Sequence, residues 1–206
     1  SEGVPKLLDF GIAQLLNPEQ FALQVEYTAT WLRPMTPSYA SPEQIDGKMV
    51  GTPSDVYSLG VLLYKLLTGH LPYQLHGLNP TDVTRVILEH EPEKPSTAIS
   101  RTDRAPAAGG ASSTAITPDL VSRARGVPPP QLRRQLAGDL DNIVMMALRK
   151  EAQRRYNSVE QLSEDIRRYL TGMPVLARTD TVGYRAAKFL RRNRLGVAVA
   201  AAFVVL

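Results

Sequence analysis

The stretch that most limits how this chain can fold is SDVYSLGVLLYKLLTG, residues 54–69. From Val56 to Leu67 it is apolar on nearly every face. A helix with so little polar surface has to lie buried at the centre of a domain. Gly69 follows where a helix C-cap is expected, because glycine adopts the left-handed conformation there without steric cost. With 206 residues the chain is long enough to build a core around such a helix.

The segments on either side supply the rest of a helical subdomain. Asn79-Pro80 opens another helix, with proline in its first turn and Asp82 favoured by the dipole, and this helix ends before Pro92. Asp139 to Leu148 and Ser158 to Leu170 read as two more. Ser158 and Gln161 have capping-box spacing, and Gly172 closes the last helix. Before the central helix, Lys6 to Phe10 reads as a strand edge running into a loop. Residues 12–53 are mostly loop, with Pro18, Pro34, Pro37, Pro42 and Pro53 spread through them. Residues 92–130 are rich in Pro, Ser, Thr, Ala and Gly, and are expected to form a flexible insertion without the apolar residues of a core.

Composition excludes some chemistry. The chain has no cysteine, so disulfides and thiolate metal sites are ruled out, which fits a reducing compartment. His70, His76 and His90 lack metal-ligand spacing and are expected at the surface or in loops. The net charge of +4 does not indicate nucleic-acid binding. After Asp180 there is no acidic residue, whereas Arg185, Lys188, Arg191, Arg192 and Arg194 all fall there. The basic character therefore belongs to the tail, and the nearly neutral body is not a phosphate-binding surface.

Directly after that basic cluster, Leu195–Leu206 reads LGVAVAAAFVVL, with no charge. A spanning helix needs about 20 apolar residues, so this run is expected to be the start of a transmembrane helix. Basic residues on its near side place the preceding residues in the cytoplasm, giving a single-pass cell-membrane protein. Residues 182–194 are expected to form an amphipathic juxtamembrane helix. Tyr184, Phe189 and Leu190, among basic residues, would suit anionic headgroups.

Four motifs occur in a set order: Asp9-Phe10-Gly11, then Thr36-Pro37-Ser38-Tyr39-Ala40-Ser41-Pro42-Glu43, then Ser54-Asp55-Val56-Tyr57-Ser58-Leu59-Gly60, then Lys150-Glu151-Ala152-Gln153-Arg154-Arg155-Tyr156. In this order the chain resembles the bacterial eukaryotic-like serine/threonine protein kinases, from the metal-binding aspartate to the end of the kinase domain. The implied fold is mainly α: a protein-kinase-like C-terminal lobe over residues 1–172, with an activation segment at 9–43. A basic juxtamembrane segment at 173–194 and the membrane run at 195–206 follow.

The resemblance implies ATP and Mg²⁺ as cofactors in the intact domain and assigns roles by position. Asp9 matches the aspartate that holds Mg²⁺ against the nucleotide phosphates, with Phe10 and Gly11 completing that cofactor-binding turn. Thr36 matches the threonine beside the substrate hydroxyl, which favours serine/threonine substrates. Thr28 and Thr30 are the candidate phosphosites of the activation segment. Pro42 and Glu43 stand in Ser-Pro-Glu where the family has Ala-Pro-Glu, and Glu43 is implied to form a buried ion pair with Arg155. Asp55 matches the aspartate that binds the backbone of the catalytic loop. Ala152 departs from the family's usual proline.

Partners implied are protein substrates, the membrane, and a second copy of the intact protein, with no nucleic acid. In the family, the glycine-rich loop, the lysine–glutamate pair and the His-Arg-Asp loop all precede Asp-Phe-Gly. Only eight residues precede Asp9 here, so this chain alone is expected to be inactive. The alternative is a non-catalytic, membrane-tethered docking module derived from the kinase fold. The intact Asp9, Thr36 and Glu43 argue against it. A basic membrane-surface protein unrelated to kinases would explain only residues 182–206.

Overall fold

The computed structural model describes residues 37–104 and 115–193. These residues form a helical assembly whose centre is α2 (Thr52–Thr68). Before it come a single 3-10 turn, Pro37–Tyr39, and the short helix α1 (Pro42–Ile45). After it run α3 (Pro80–Glu89), α4 (Pro95–Ala98), α5 (Pro118–Arg125), α6 (Pro129–Leu136), α7 (Asp139–Ala147), α8 (Val159–Leu170) and α9 (Val182–Arg192). The sheet content among the described residues is one two-residue antiparallel pair, β1 (Asp103–Arg104) with β2 (Ala115–Ile116), in which Asp103 faces Ile116.

The near-absence of a polar face on α2 has the expected consequence, because it serves two cores at once. On one side Val56 packs with Ile143 and Ala147 of α7, Tyr156, Leu162 of α8 and Val175. On the other, Tyr57, Val61 and Tyr64 pack with Ala98, Val144 and Leu148. Gly60 lets α2 and α7 approach this closely: a Cβ there would lie 2.8 Å from the Ala147 Cβ. The far end of α2 is less enclosed, and Leu66 is exposed. Gly69, at φ 79°, caps the helix with its amide on the Lys65 carbonyl.

Helix boundaries follow local chemistry. The Asn79 side chain accepts from the Asp82 amide at the start of α3. At α8 the Ser158 hydroxyl accepts from the Gln161 amide, but the return arm differs from a capping box. The Gln161 side chain accepts from the Asn157 amide, one residue earlier. Gly172, at φ 69°, ends α8 with paired bonds from its own amide to Tyr169 and from the Met173 amide to Arg168, a Schellman motif.

Residues 92–130 do not behave as the expected coreless insertion. Residues 105–114 lie outside the described residues, but the flanking parts carry α4, α5 and the start of α6. Ile99 and Val121 are buried with Leu132, Leu136 and Leu140 in a third core cluster. The apolar residues are few but spaced to meet, which average composition conceals. Asp141 holds α4 in place by accepting from the Ser96 amide and hydroxyl at 2.9 and 2.6 Å.

His70 also departs from expectation. It is buried rather than superficial, and Nδ1 lies 2.8 Å from Asp103 Oδ2. Burial pushes the imidazole pKa down, opposed by Asp103. The turn that closes α2 folds it inward, with the Thr68 hydroxyl accepting from the His70 amide. His76 and His90 are exposed, as expected.

No helix among the described residues is long and apolar enough to cross a membrane, and Leu195–Leu206 lies outside them.

Candidate functional site

Asp9, Phe10, Gly11, Thr28, Thr30 and Thr36 lie outside the described residues. The described part of the site begins where the activation segment of the resemblance ends. Ser41 starts α1 with a complete capping box: its hydroxyl accepts from the Gln44 amide, and the Gln44 side chain accepts from the Ser41 amide at 2.8 Å. Alanine, the family's residue at this position, could not make that cap. Pro42 occupies the first helical position, where its missing N–H has no cost.

This short, well-fixed helix turns Glu43 inward onto Arg155. The contact is bidentate, with Arg155 Nη1 donating to Oε1 at 2.6 Å and Nη2 donating to Oε2 at 2.7 Å. The Arg155 side chain is fully enclosed. Its remaining N–H groups donate to the carbonyls of Pro53, Arg149 and Lys150, and its guanidinium lies over the Tyr57 ring at 5.0 Å. The Ser54 hydroxyl adds a third bond to Glu43 at 2.5 Å. Burial works to raise the Glu43 carboxyl, but the bonds from Arg155 and Ser54 outweigh it and hold the pKa at about 2. A buried pair with every donor engaged is the arrangement that tolerates loss of water.

One carboxylate and one guanidinium thus tie α1, the entry to α2 and the loop before α8 into a single unit. Ala152, at the family's proline position, sits in a 3-10 turn whose exit places Arg155.

Asp55 stands elsewhere. It lies in the first turn of α2, exposed, where the helix dipole favours it, and its side chain makes no hydrogen bond to a described residue. The catalytic loop that the resemblance would bring to it precedes Asp9 in the family.

Three further polar centres have no role assigned by the sequence. Lys150, inside the fourth motif, donates to the Tyr73 hydroxyl and the Ile87 carbonyl, both at 2.6 Å. Burial lowers its pKa to about 8, with Glu91 opposing the shift and Arg155 adding to it. Asp165, fully buried in α8, accepts from the Tyr156 hydroxyl and from the amides of Leu176 and Ala177. Asp139, at the start of α7, accepts from the Tyr184 hydroxyl at 3.0 Å and from Lys188 at 2.6 Å, with Arg178 at 3.4 Å. Tyr184 therefore faces the lobe and not the headgroups expected for it.

Among the described residues, no three His, Asp or Glu side chains converge as a metal site. Comparison with known proteins decides the family. A model of the protein kinase domain matches residues 1–173. The chain belongs to the protein kinase domain family. It is similar to the serine/threonine-protein kinase PknB of Mycobacterium leprae, 31% identical over 82% of this chain and 21% of that protein. It is likewise similar to the probable serine/threonine-protein kinase SCO3848 of Streptomyces coelicolor, 32% identical over 90% of this chain and 21% of the relative. A shorter stretch, 33% of this chain and 8% of the relative, is 50% identical to the serine/threonine-protein kinase pkn2 of Myxococcus xanthus. The chain thus spans about a fifth of the length of these first two relatives, and what it contributes is a helical lobe of a kinase domain.

Proposed function

We propose that this chain is part of a serine/threonine protein kinase that transfers the ATP γ-phosphoryl group to Ser or Thr hydroxyls of protein substrates. The observation that carries this reading is the Glu43–Arg155 pair. It fixes the end of the segment containing Thr36 to the helical lobe, so that a substrate hydroxyl brought beside Thr36 would meet a held surface. Asp9 would hold the Mg²⁺ that ATP requires, and Thr28 or Thr30 would accept a regulatory phosphate. The 206-residue chain by itself is inactive in this reading. The run Leu195–Leu206 would anchor the protein as a single-pass membrane protein with the kinase part in the cytoplasm.

Phosphate transfer from labelled ATP with Mg²⁺ to a basic protein substrate tests the activity. It compares this chain, the same chain joined to a glycine-rich upstream lobe with its catalytic loop, and that longer form carrying Asp9→Ala. Transfer by the longer form that Asp9→Ala abolishes supports the proposal. Absence of transfer by every form favours a docking module without catalysis. Resistance of the chain to alkaline extraction from membranes tests the anchor separately.

A further inference from the structure

α9 is mounted on the lobe by its polar side. Tyr184 is buried, bonded to Asp139 and accepting from the Val175 amide at 3.0 Å, and Lys188, one turn on, reaches the same carboxylate. The residues spaced i, i+4, i+7 and i+8 from Val182 fall on the opposite face: Val182, Ala186, Phe189 and Leu190. All four are exposed, Val182 to 85%, Phe189 to 54% and Leu190 to 49%. An amphipathic helix in a soluble lobe ordinarily does the reverse. The exposure is also concentrated: among the described residues, six of the ten exposed large apolar side chains lie between Leu170 and Leu190.

Charge and size indicate what covers this stripe. Arg185, which is ion-paired with Asp180, and Arg192 border one edge of it on the helical wheel, and no acidic residue follows Asp180. The face of an eleven-residue helix is about 16 Å long and about 10 Å wide. That falls well short of the roughly 800 Å² per partner of a stable protein dimer. An apolar stripe with arginines along one edge is instead what an interfacial helix presents to a bilayer.

We propose that α9 is a lobe-mounted membrane-surface helix, gripping the kinase lobe through Asp139 while Val182, Ala186, Phe189 and Leu190 enter the headgroup region of an anionic bilayer. The proposal rests on the membrane reading above for the presence of a bilayer, but not on Leu195–Leu206 spanning it. Because Tyr184 and Lys188 hold the helix to the lobe, lipid contact sets the orientation of the lobe as well as its distance.

The test uses the whole chain carrying Val199→Asp and Phe203→Asp, which removes insertion by the apolar run. This protein is sedimented with phosphatidylcholine vesicles and with vesicles that also contain phosphatidylserine. Binding is expected only to the anionic vesicles. It should fall about tenfold on adding Phe189→Asp and Leu190→Asp, and stay unchanged on adding Leu66→Asp at an exposed position of α2. The chain lacks cysteine, so a polarity-sensitive dye on Ala186→Cys reports α9 alone, and its emission should shift blue on anionic vesicles. Binding indifferent to Phe189→Asp and Leu190→Asp, or an unshifted dye, overturns the proposal. So does a dimer in light scattering that Leu190→Asp dissociates without any vesicle binding. Failure of the unaltered chain to resist alkaline extraction would remove the anchor reading and leave this one standing.

Discussion

Glu43 and Arg155, 112 positions apart in the chain, meet through two parallel hydrogen bonds with no room for water between them. A contact between such distant residues closes a long loop. Removing one partner leaves the other charge buried and unpaired. Arg155→Met is therefore expected to destabilise the fold by about 3–5 kcal/mol, and Glu43→Gln by somewhat less, because an amide still accepts from Arg155 and Ser54. Urea unfolding monitored by circular dichroism checks both. A loss below about 1 kcal/mol for Arg155→Met would show that the pair is not buried in solution.

The same pair sets an acid limit. The folded-state pKa of Glu43 is about 2, against an ordinary value of 4.5. The stabilisation is complete above the unfolded value and is lost as pH falls from 4.5 towards 2. Unfolding free energy measured across that window should decline more steeply in the unaltered chain than in Glu43→Gln.

Lys150 has the opposite sign. Its folded pKa of about 8 lies below the ordinary 10.5, so the folded state releases its proton first. The cost of burying the charged amine is present below pH 8 and is relieved as pH rises towards 10.5. Between those values the difference in melting temperature between the unaltered chain and Lys150→Met should shift in favour of the unaltered chain. A constant difference would mean that Lys150 titrates normally.

Gly60 is a packing requirement. Its added methyl would meet Ala147 at 2.8 Å and Leu148 at 3.2 Å, at the end of a helix that cannot move without disturbing two cores. Gly60→Ala is expected to cost about 1–3 kcal/mol even though alanine is the better helix former. Ala147→Gly in the same chain should recover part of it.

Ser41→Ala, which restores the family's usual residue, should nonetheless cost about 1 kcal/mol here, because the hydroxyl caps α1. Equal unfolding midpoints for the two forms would show the cap to be dispensable.

What the sequence made legible was whatever has a local period or a local partner. Residues 54–69 could only be a central helix. Asn79, Ser158, Gly69 and Gly172 each announce a helix end through bonds spanning a few residues. Only the family resemblance pairs Glu43 with Arg155, since no local pattern links them. The buried carboxylates stayed hidden for the same reason. Asp139 and Asp165 find their partners in α9 and in backbone amides of Leu176 and Ala177, and an amide leaves no mark in a sequence. The region 92–130 reads as coreless because Ile99 and Val121 are diluted by small residues, although each is buried. His70 looked like a loop residue and is one, but that loop folds inward against Asp103.

Residues 173–181 carry no helix or strand, yet Asp165 grips the backbone at Leu176 and Ala177, and Tyr184 bonds the amide of Val175. A stretch that would pass for a flexible leash is thus fastened along its length. A leash lets its cargo sample a hemisphere, and encounter is then governed by effective concentration. A fastened strap gives the polypeptide one direction of departure, so the targets this lobe meets are selected by aim.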